Sequence, residues 1–308
     1  MDTSANPPTE PTTIALCGLG NMGDAIASQL GKRFDVLGFD LDPARGTAAA
    51  AAYGITACAD LAEAAAASVV VLCLPSPAAS IDVTGALAPQ LAPGSVIVET
   101  STSNPADVLA LAKICDPYGV QVIDAAIAAG VGQMRSGTAV LLVSGDDAAV
   151  AKAWSVLEVI GPKNIVTLGA DLGSGSALKV INNAIAHAVM VVLVEAAAMA
   201  QACGIPRARL LELLNGNDAG LTRPLEHRLM ERVAQGNYDG GMPTEAARKD
   251  SVLALALAQS VGVPLFAIQG SHAVYEIATA EGRGRLDYAS IAQLWEGWIG
   301  QSLTDTAE

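Results

Sequence analysis

A glycine-rich run near the N-terminus has the residue types and spacing of a site for a phosphate-bearing ligand. It consists of Gly18, Leu19, Gly20, Asn21, Met22 and Gly23. An apolar strand pattern precedes the run and a helical pattern follows it at once, which is the context that this spacing requires. Gly18 would allow a sharp turn, Gly20 a close approach of the backbone, and Gly23 tight packing of helix on strand. The N-terminus of that helix favours anions, so the run predicts that a dinucleotide pyrophosphate binds here.

Asp40 lies at the end of the second predicted strand, at the spacing where a carboxylate accepts the ribose 2′-hydroxyl of a dinucleotide. A carboxylate there would repel the additional 2′-phosphate of NADP. Arg45, a few residues later, could hold that phosphate if the loop folded back. The sequence therefore favours NAD as the cofactor and leaves NADP as the alternative.

A second stretch able to do chemistry, Gly-Ser-Gly-Ser-Ala-Leu-Lys-Val-Ile-Asn-Asn, occupies residues 173–183. Lys179 and Asn183 are four residues apart, so they share one face of a helix. An apolar run follows them for two turns. From the residues alone, these side chains either reach solvent at the edge of the helix or line a site.

The elements that position these residues are of two kinds. From residue 12 to about 170, short β-branched runs alternate with Ala-rich helical stretches, which predicts a mainly parallel, doubly wound sheet. From 171 to 308 the strand signal is absent, and a long helix over 176–203 opens a series of helices. The sequence thus predicts a disordered leader (1–11), an α/β dinucleotide-binding domain (12–170) and an all-α domain (171–308).

The composition excludes several classes of protein. A net charge of −14 and 4% aromatic residues argue against nucleic-acid binding, and the charge also argues against an anionic membrane surface. The five scattered cysteines are expected to be reduced, and the three histidines lack metal-ligand spacing, so no metal is expected. The polar, Pro-rich N-terminus does not read as a signal peptide. The apolar stretch 184–200 contains His187 and Glu195, so a helix buried inside a cytoplasmic protein is expected.

Six motifs, in order along the chain, resemble those of the β-hydroxyacid dehydrogenase family, which includes 3-hydroxyisobutyrate dehydrogenase and tartronate semialdehyde reductase. They are GLGNMG at 18–23, LPSPA at 74–78, ETSTSNP at 99–105, DAAIAAG at 124–130, GSGSALKVINN at 173–183 and RKD at 248–250. The resemblance covers nearly the whole chain. It implies a Rossmann-type N-terminal domain, an all-α C-terminal domain, and NAD(P)-dependent oxidation of the CH–OH group of a small hydroxy acid or a related alcohol.

The resemblance also implies roles for individual residues. Lys179 would be the general acid and base, with Asn183 as its partner on the substrate side. The residues expected to contact the cofactor, besides the glycine-rich run and Asp40, are Leu74, Pro75, Thr102 and Lys249. The lysine at 249 would help to close the site over the cofactor. We expect burial and positive neighbours to lower the pKa of Lys179 toward the working pH.

The predicted substrate loop departs from the family pattern. Relatives usually carry Ser-Gly-Gly where this chain has Ala128, Ala129 and Gly130. Without the hydroxyl, short 3-hydroxy acids are expected to be poor substrates, and a bulkier substrate is expected instead. Gln133 and Arg135 either face solvent or replace the missing contact, with Arg135 meeting the anionic group.

Two other functions remain as alternatives. An imine reductase would have the same fold, but those enzymes commonly lack a lysine at the position of Lys179 and use mostly NADP. A non-catalytic dinucleotide-binding protein would be expected to have lost the lysine. The apolar helix over 176–203 would also suit a subunit interface, so a homodimer or homotetramer is expected.

Overall fold

The computed structural model describes residues 13–162, 164–216 and 220–305. The predicted leader, residues 1–11, lies outside the described residues. Contacts divide the chain into two units, the first ending at Ala184 and the second beginning at Ile185. One helix, α7 (Ser174–Ala202), contributes residues to both units. The predicted domain boundary at residue 170 therefore remains a proposal.

The first unit is built on a mostly parallel sheet, as predicted. Its strands are β1 (Thr13–Cys17), β2 (Asp35–Phe39), β3 (Thr56–Ala57), β4 (Val69–Leu72), β5 (Val96–Glu99), β6 (Gln121–Ile127), β7 (Val140–Ser144) and β8 (Asn164–Thr167). Their order in the sheet is β3-β2-β1-β4-β5-β6-β7-β8. Neighbouring strands run parallel except β6 and β7, which are antiparallel. The short strands β3 and β8 were not predicted from the sequence.

Helices and apolar side chains cover both faces of this sheet. The helices are α1 (Asn21–Leu30), α2 (Pro43–Tyr53), α3 (Pro77–Leu87), α4 (Pro105–Cys115), α5 (Val131–Arg135) and α6 (Asp147–Ile160), with a 3₁₀ turn at Leu61–Ala66. Along β1, Ile14 and Leu16 enter one buried cluster, whereas Ala15 and Cys17 enter another. Strands buried on both faces explain the nearly continuous apolar runs in the sequence.

The second unit is helical, which confirms the predicted fold class. After α7 come α8 (Arg207–Leu214), a π-helical segment (Arg223–Val233), α9 (Thr244–Ser260), α10 (Ala267–Ala280) and α11 (Ala292–Ile299). The segment at Arg223–Val233 is wound more widely than an α-helix, and the Ala234 N–H bonds to the carbonyl of Leu229, five residues earlier. The buried cluster of this unit is small and is formed by Val233, Tyr238, Ala289 and Ala292.

The prediction that residues 184–200 form a buried helix is wrong for the single chain. Along this stretch of α7 only Glu195 and Ala200 are buried, and Ile185 is 60% exposed. By length and composition the helix could cross a membrane. However, its first turn is bonded into the sheet, and Lys179, Asn183 and Glu195 interrupt its apolar surface. The exposed apolar surface of α7 would therefore have to be covered by another protein surface.

Candidate active site

A row of residues in register across the sheet sets the position of the predicted site. From β2 to β7 the row is Phe39, Cys17, Leu72, Glu99, Asp124 and Ser144. The chain leaves β2, β1, β4 and β5 just after this row. The loops that follow these four strands carry, in the same order, Asp40, the glycine-rich run, Leu74 and Thr102. Residues far apart in sequence are thereby brought to one edge of the sheet, where ligands of open α/β sheets bind.

The glycines of the first loop have the geometry that the motif predicts. Gly18 has a φ of +95°, and a Cβ there would lie 2.2 Å from the carbonyl oxygen of Cys73. A Cβ on Gly23 would lie 1.9 Å from the Gly18 oxygen. Gly20 is open, with Arg45 Nη1 as the nearest atom at 3.6 Å. The loop thus exposes its backbone only at its middle glycine.

A cleft of about 850 Å³ lies against this loop. The predicted cofactor residues that line it are Gly18, Gly20, Asn21, Met22, Gly23, Asp40, Leu74 and Pro75. The side chain of Leu19 is buried in the core, and its backbone N–H bonds to Asp40. No side chain caps the N-terminus of α1. The first-turn N–H groups of α1 are therefore available to an anion in the cleft.

Asp40 is held firmly at the end of β2. Its Oδ2 accepts a hydrogen bond from the Leu19 N–H (2.8 Å), and its Oδ1 accepts one from the Asp42 N–H (2.9 Å). Arg45 lies between two carboxylates, with Nη1 3.6 Å from Asp40 and Nε 3.7 Å from Asp42. Asp82 also lines the cleft. Acidic groups therefore surround Arg45, the arginine that was considered as a partner for a 2′-phosphate.

A buried carboxyl group, which the sequence analysis did not identify, organises the next two loops. Glu99 is fully buried, and its Oε1 accepts a hydrogen bond from the Ser101 N–H (2.6 Å). The Ser101 hydroxyl in turn accepts one from the Leu74 N–H (2.8 Å). Burial raises the pKa of Glu99. Thr102 follows this network and is exposed, so its side chain is free to contact a ligand.

The first turn of α7 is bonded to the end of the same row. The Ser176 N–H donates to Asp124 Oδ2 (2.6 Å), and the Ser176 hydroxyl donates to Asp124 Oδ1 (3.0 Å). The Gly175 N–H donates to the hydroxyl of Ser144 (3.3 Å). Asp124 is fully buried, and burial raises its pKa to about 6. Asp124 and Ser176 lie in two of the motifs identified from the sequence, but no individual role was predicted for either residue.

Lys179 comes one turn after Ser176 and is half-buried, as is Asn183. Burial lowers the pKa of Lys179, in the direction that was predicted. The predicted contribution of positive neighbours to this lowering stays a prediction. Lys249 is in the second unit, where its exposed ammonium group lies 3.1 Å from Asp250 Oδ1.

The predicted substrate loop connects β6 to α5. Ala128 and Ala129 are half-buried and Gly130 is exposed, and Ala129 packs against the buried cluster of the first unit. Gln133 Oε1 accepts a hydrogen bond from the Gly130 N–H (2.9 Å) and so caps α5.

The suggestion that Arg135 receives the anionic group of the substrate is not supported. Its guanidinium group is hydrogen-bonded to the carboxylate of Asp24 and to the Tyr53 hydroxyl (3.0 Å). The backbone oxygen of Arg135 accepts a bond from Gln29 (2.7 Å). These contacts instead fix α5 against its neighbours in the first unit. Within the described ranges, no cluster of three His, Cys, Asp or Glu side chains could hold a metal ion.

Family models match most of the chain. Residues 13–169 match the model described as the NAD binding domain of 6-phosphogluconate dehydrogenase. Residues 173–295 match the model described as NAD-binding of NADP-dependent 3-hydroxyisobutyrate dehydrogenase. The two matches meet near the start of α7.

Characterised relatives match over almost their full length. The 2-(hydroxymethyl)glutarate dehydrogenase of Eubacterium barkeri is 30% identical over 296 residues, which are 94% of this chain and 97% of that protein. The 3-hydroxyisobutyrate dehydrogenase of Pseudomonas aeruginosa is 32% identical over 303 residues, which are 93% of this chain and 99% of that protein.

Solved structures also match. An imine reductase from Pseudomonas sp. has a TM-score of 0.83 at 24% identity and covers 93% of this chain and 100% of its own. At that identity the likeness shows the fold alone. The 3-hydroxyisobutyrate dehydrogenase of Mycobacterium tuberculosis, solved with L-serine, has a TM-score of 0.63 at 26% identity and covers 92% of this chain and 99% of its own.

Proposed function

The chain belongs to the β-hydroxyacid dehydrogenase family, and we propose that it oxidises the CH–OH group of a small hydroxy acid with Lys179 as general acid and base. One observation carries the role of the lysine. Hydrogen bonds from the first turn of α7 to the sheet hold the half-buried Lys179 near the edge where the glycine-rich loop lies. Burial lowers the pKa of Lys179. We keep residues 12–170 as the cofactor domain and 171–308 as the substrate and assembly domain.

The cleft fits a nicotinamide dinucleotide. The uncapped N-terminus of α1 and the open backbone at Gly20 suit a pyrophosphate, and Asp40 has the position to accept hydrogen bonds from a ribose diol. Leu74, Pro75 and Thr102 would lie along the remainder of the cofactor, with Lys249 closing over it. The bound nicotinamide supplies the hydride acceptor, so the protein has to orient the reactants and move one proton.

In oxidation the neutral amine of Lys179 takes the proton of the substrate hydroxyl, and in reduction its ammonium form gives a proton back. A lysine with its ordinary pKa would be almost fully protonated near neutral pH. The lowering by burial makes the neutral form more available, which an efficient general base requires. Asn183, one turn away on the same face, would orient the substrate without adding charge.

NAD is the preferred cofactor in this proposal. A 2′-phosphate placed near Arg45 would also face Asp40, Asp42 and Asp82. Because Arg45 is already paired with two of these carboxylates, it offers little positive charge to a phosphate. We therefore expect a higher kcat/KM with NAD than with NADP, and Asp40→Ser should narrow the difference. Equal use of NADP by the native enzyme would show that Arg45 decides the choice.

The substrate is expected to depend little on a hydroxyl contact from the loop at Ala128, Ala129 and Gly130. A lost hydrogen bond to a carboxylate corresponds to about 1.5–3 kcal/mol. A panel should include 3-hydroxyisobutyrate, 2-(hydroxymethyl)glutarate, bulkier hydroxy acids and imines, with NADH absorbance as the readout. Ala128→Ser should raise kcat/KM for short 3-hydroxy acids. A native preference for 3-hydroxyisobutyrate would contradict this interpretation of the loop, and turnover of imines alone would contradict the proposed reaction.

Lys179→Ala tests the central claim. We expect kcat to fall by ~10²–10⁴-fold while the affinity for NAD stays unchanged, because general acid–base catalysis contributes this much. Lys113→Ala, which changes an exposed lysine on α4, is the matched control and should retain activity. Substantial activity in Lys179→Ala would make the lysine structural. A proportional loss of NAD affinity would make it a cofactor residue.

The enzyme would work as a homodimer or homotetramer in the cytoplasm. Apolar side chains on the second-unit part of α7 are exposed, among them Ile185, Met190 and Val194. A surface of this kind on one chain marks a protein interface. All five cysteines are free thiols, which suits a reducing compartment. Light scattering should give a multiple of the 31.1 kDa chain mass, and Ile185→Asp should lower the measured mass.

A further inference from the structure

The start of α7 is bonded to the sheet through several independent contacts. The Gly175 N–H bonds to Ser144 on β7 and the Ser176 N–H bonds to Asp124 on β6, while the Ser174 N–H bonds to the Asp171 carbonyl in the preceding loop (3.2 Å). The first N–H groups of a helix have no partner within the helix, and here buried groups of two strands supply the partners. This end of the helix is thus held in position by the sheet, although most of its later surface is exposed.

Gly175 shows how closely the helix approaches the sheet. A Cβ at this position would lie 2.3 Å from the Leu142 carbonyl oxygen and 3.1 Å from Asp124 Oδ2. The helix therefore has no room to move toward β7. Lys179 lies one turn further along the same rigid segment, so any shift of the first turn would move its ammonium group.

We propose that Asp124 is a positioning residue for Lys179, because its carboxylate fixes the first turn of α7 and thereby the place of the lysine at the cofactor edge. The inference rests on the proposed role of Lys179, but it concerns a residue that does not itself touch the reactants.

The carboxylate form is needed because each oxygen of Asp124 accepts one hydrogen bond, from the N–H and the hydroxyl of Ser176. Protonation would turn one acceptor into a donor, so the Ser176 hydroxyl would have to rotate, and the attraction between the carboxylate charge and the N–H groups of the first turn would be lost. The group that faces Asp124 on β5 is Glu99, and the group that faces it on β7 is the neutral Ser144. On α7 the nearest charged group is Lys179. The pKa of Asp124, raised by burial to about 6, places the change within a measurable range.

The pH dependence of the rate of carbonyl reduction distinguishes the role of Asp124 from that of Lys179. Lys179 must be protonated to act as an acid, so its titration limits the rate only on the alkaline side. Asp124 must be ionised, so the rate should fall as the pH drops through about 6.

The experiment compares the native enzyme with Asp124→Asn, using NADH and the carbonyl product of the fastest panel substrate. At pH 8, kcat should fall by up to ~10²-fold, as expected for a misplaced catalytic group, with no change in the KM for NADH. The acid limb should disappear, because asparagine does not titrate. Ser176→Ala, which keeps the backbone bond to Asp124, should lose less activity and keep the acid limb.

A matched control is Glu195→Gln. It also neutralises a buried carboxylate that receives backbone hydrogen bonds at a helix start, but that helix is α10. Its kcat should be unchanged.

Thermal melting shows which variants are folded. If Asp124→Asn does not fold, the kcat of Ser176→Ala is the deciding measurement, and a native kcat would overturn the positioning role. Native kcat and an unchanged acid limb in Asp124→Asn, while Lys179→Ala is inactive, would overturn the positioning role and leave the proposed function standing. An active Lys179→Ala would overturn both.

Discussion

Asp124 in the first unit and Glu195 in the second perform the same structural task in different electrostatic settings. Each is a buried carboxylate that binds the N-terminus of a helix distant in sequence. Glu195 accepts hydrogen bonds from the N–H groups of Phe266, Ala267 and Ile268 at 2.6–3.0 Å. Asp124 accepts two bonds from the single residue Ser176.

Their pKa values differ in direction. For Asp124, burial is the larger effect and raises the pKa to about 6. For Glu195, burial also raises the pKa, but the hydrogen bonds from three backbone N–H groups lower it by a larger amount, so the net result is a lowered pKa. At neutral pH, ionisation of Glu195 therefore stabilises the fold, whereas ionisation of Asp124 makes the fold less stable than it would be with a neutral carboxyl group. A destabilising charge beside the helix that carries Lys179 is consistent with the proposed function, because functional sites often trade stability for geometry.

Among the variants that test the difference between the two helix starts, Gly175→Ala should have the largest effect. The new Cβ would meet a backbone oxygen at 2.3 Å, so the start of α7 must move away from Asp124. We expect a loss of about 3 kcal/mol in the free energy of unfolding and a strong loss of activity. Gly270→Ala in the first turn of α10, where nothing lies within 4 Å, is the control and should stabilise by ~0.5–1 kcal/mol. Urea unfolding measures both, and similar losses in the two variants would contradict the close approach.

The second prediction concerns Asp124 and pH. Its folded pKa of about 6 lies above the ordinary value of 3.8. Its contribution to stability is thus complete below pH 3.8 and is lost as the pH rises through 6. Relative to Asp124→Asn, the native enzyme should lose up to about 3 kcal/mol of unfolding free energy between these limits. Melting of the two proteins at a series of pH values tests this prediction.

The third prediction has the opposite sign. Because the pKa of Glu195 is lowered, its contribution is present above the ordinary value of 4.5 and is lost as the pH falls through the lowered pKa. Glu195→Gln should therefore destabilise by about 2 kcal/mol at neutral pH, and less in acid. The same melting series provides the measurement. A constant difference across the acid range would show that Glu195 titrates alike in the folded and unfolded chain.

Much of the fold could be predicted because the first unit alternates apolar strands with Ala-rich helices. Strands β1, β2, β5 and β7 begin and end where their β-branched runs do. Helix α3 is hard to predict because Ile81, Val83 and Thr84 are β-branched and weaken its helical signal. Strand β8 lies at the sheet edge and is mostly exposed, with Ile165 and Val166 as its apolar residues, so it lacks the continuous apolar run of a buried strand.

Site residues could be proposed only where the spacing of residues within one short segment determines their relative positions. Gly18, Gly20 and Gly23 form such a segment, and so do Lys179 and Asn183. Glu99, Asp124 and Ser176 were missed because their importance depends on register between strands and on the seating of a helix 52 residues away. A sequence shows that Asp124 ends an apolar run, but it does not show which groups lie beside it.

The small buried cluster of the second unit has a consequence for how the enzyme behaves on dilution. If subunit association covers the exposed face of α7, folding of this unit and assembly become one equilibrium, and mass action applies to stability. For a dimer, each tenfold dilution would then remove about 1.4 kcal/mol from the apparent free energy of unfolding. The melting temperature would fall with protein concentration, and activity would disappear at concentrations where the first unit could still hold its cofactor.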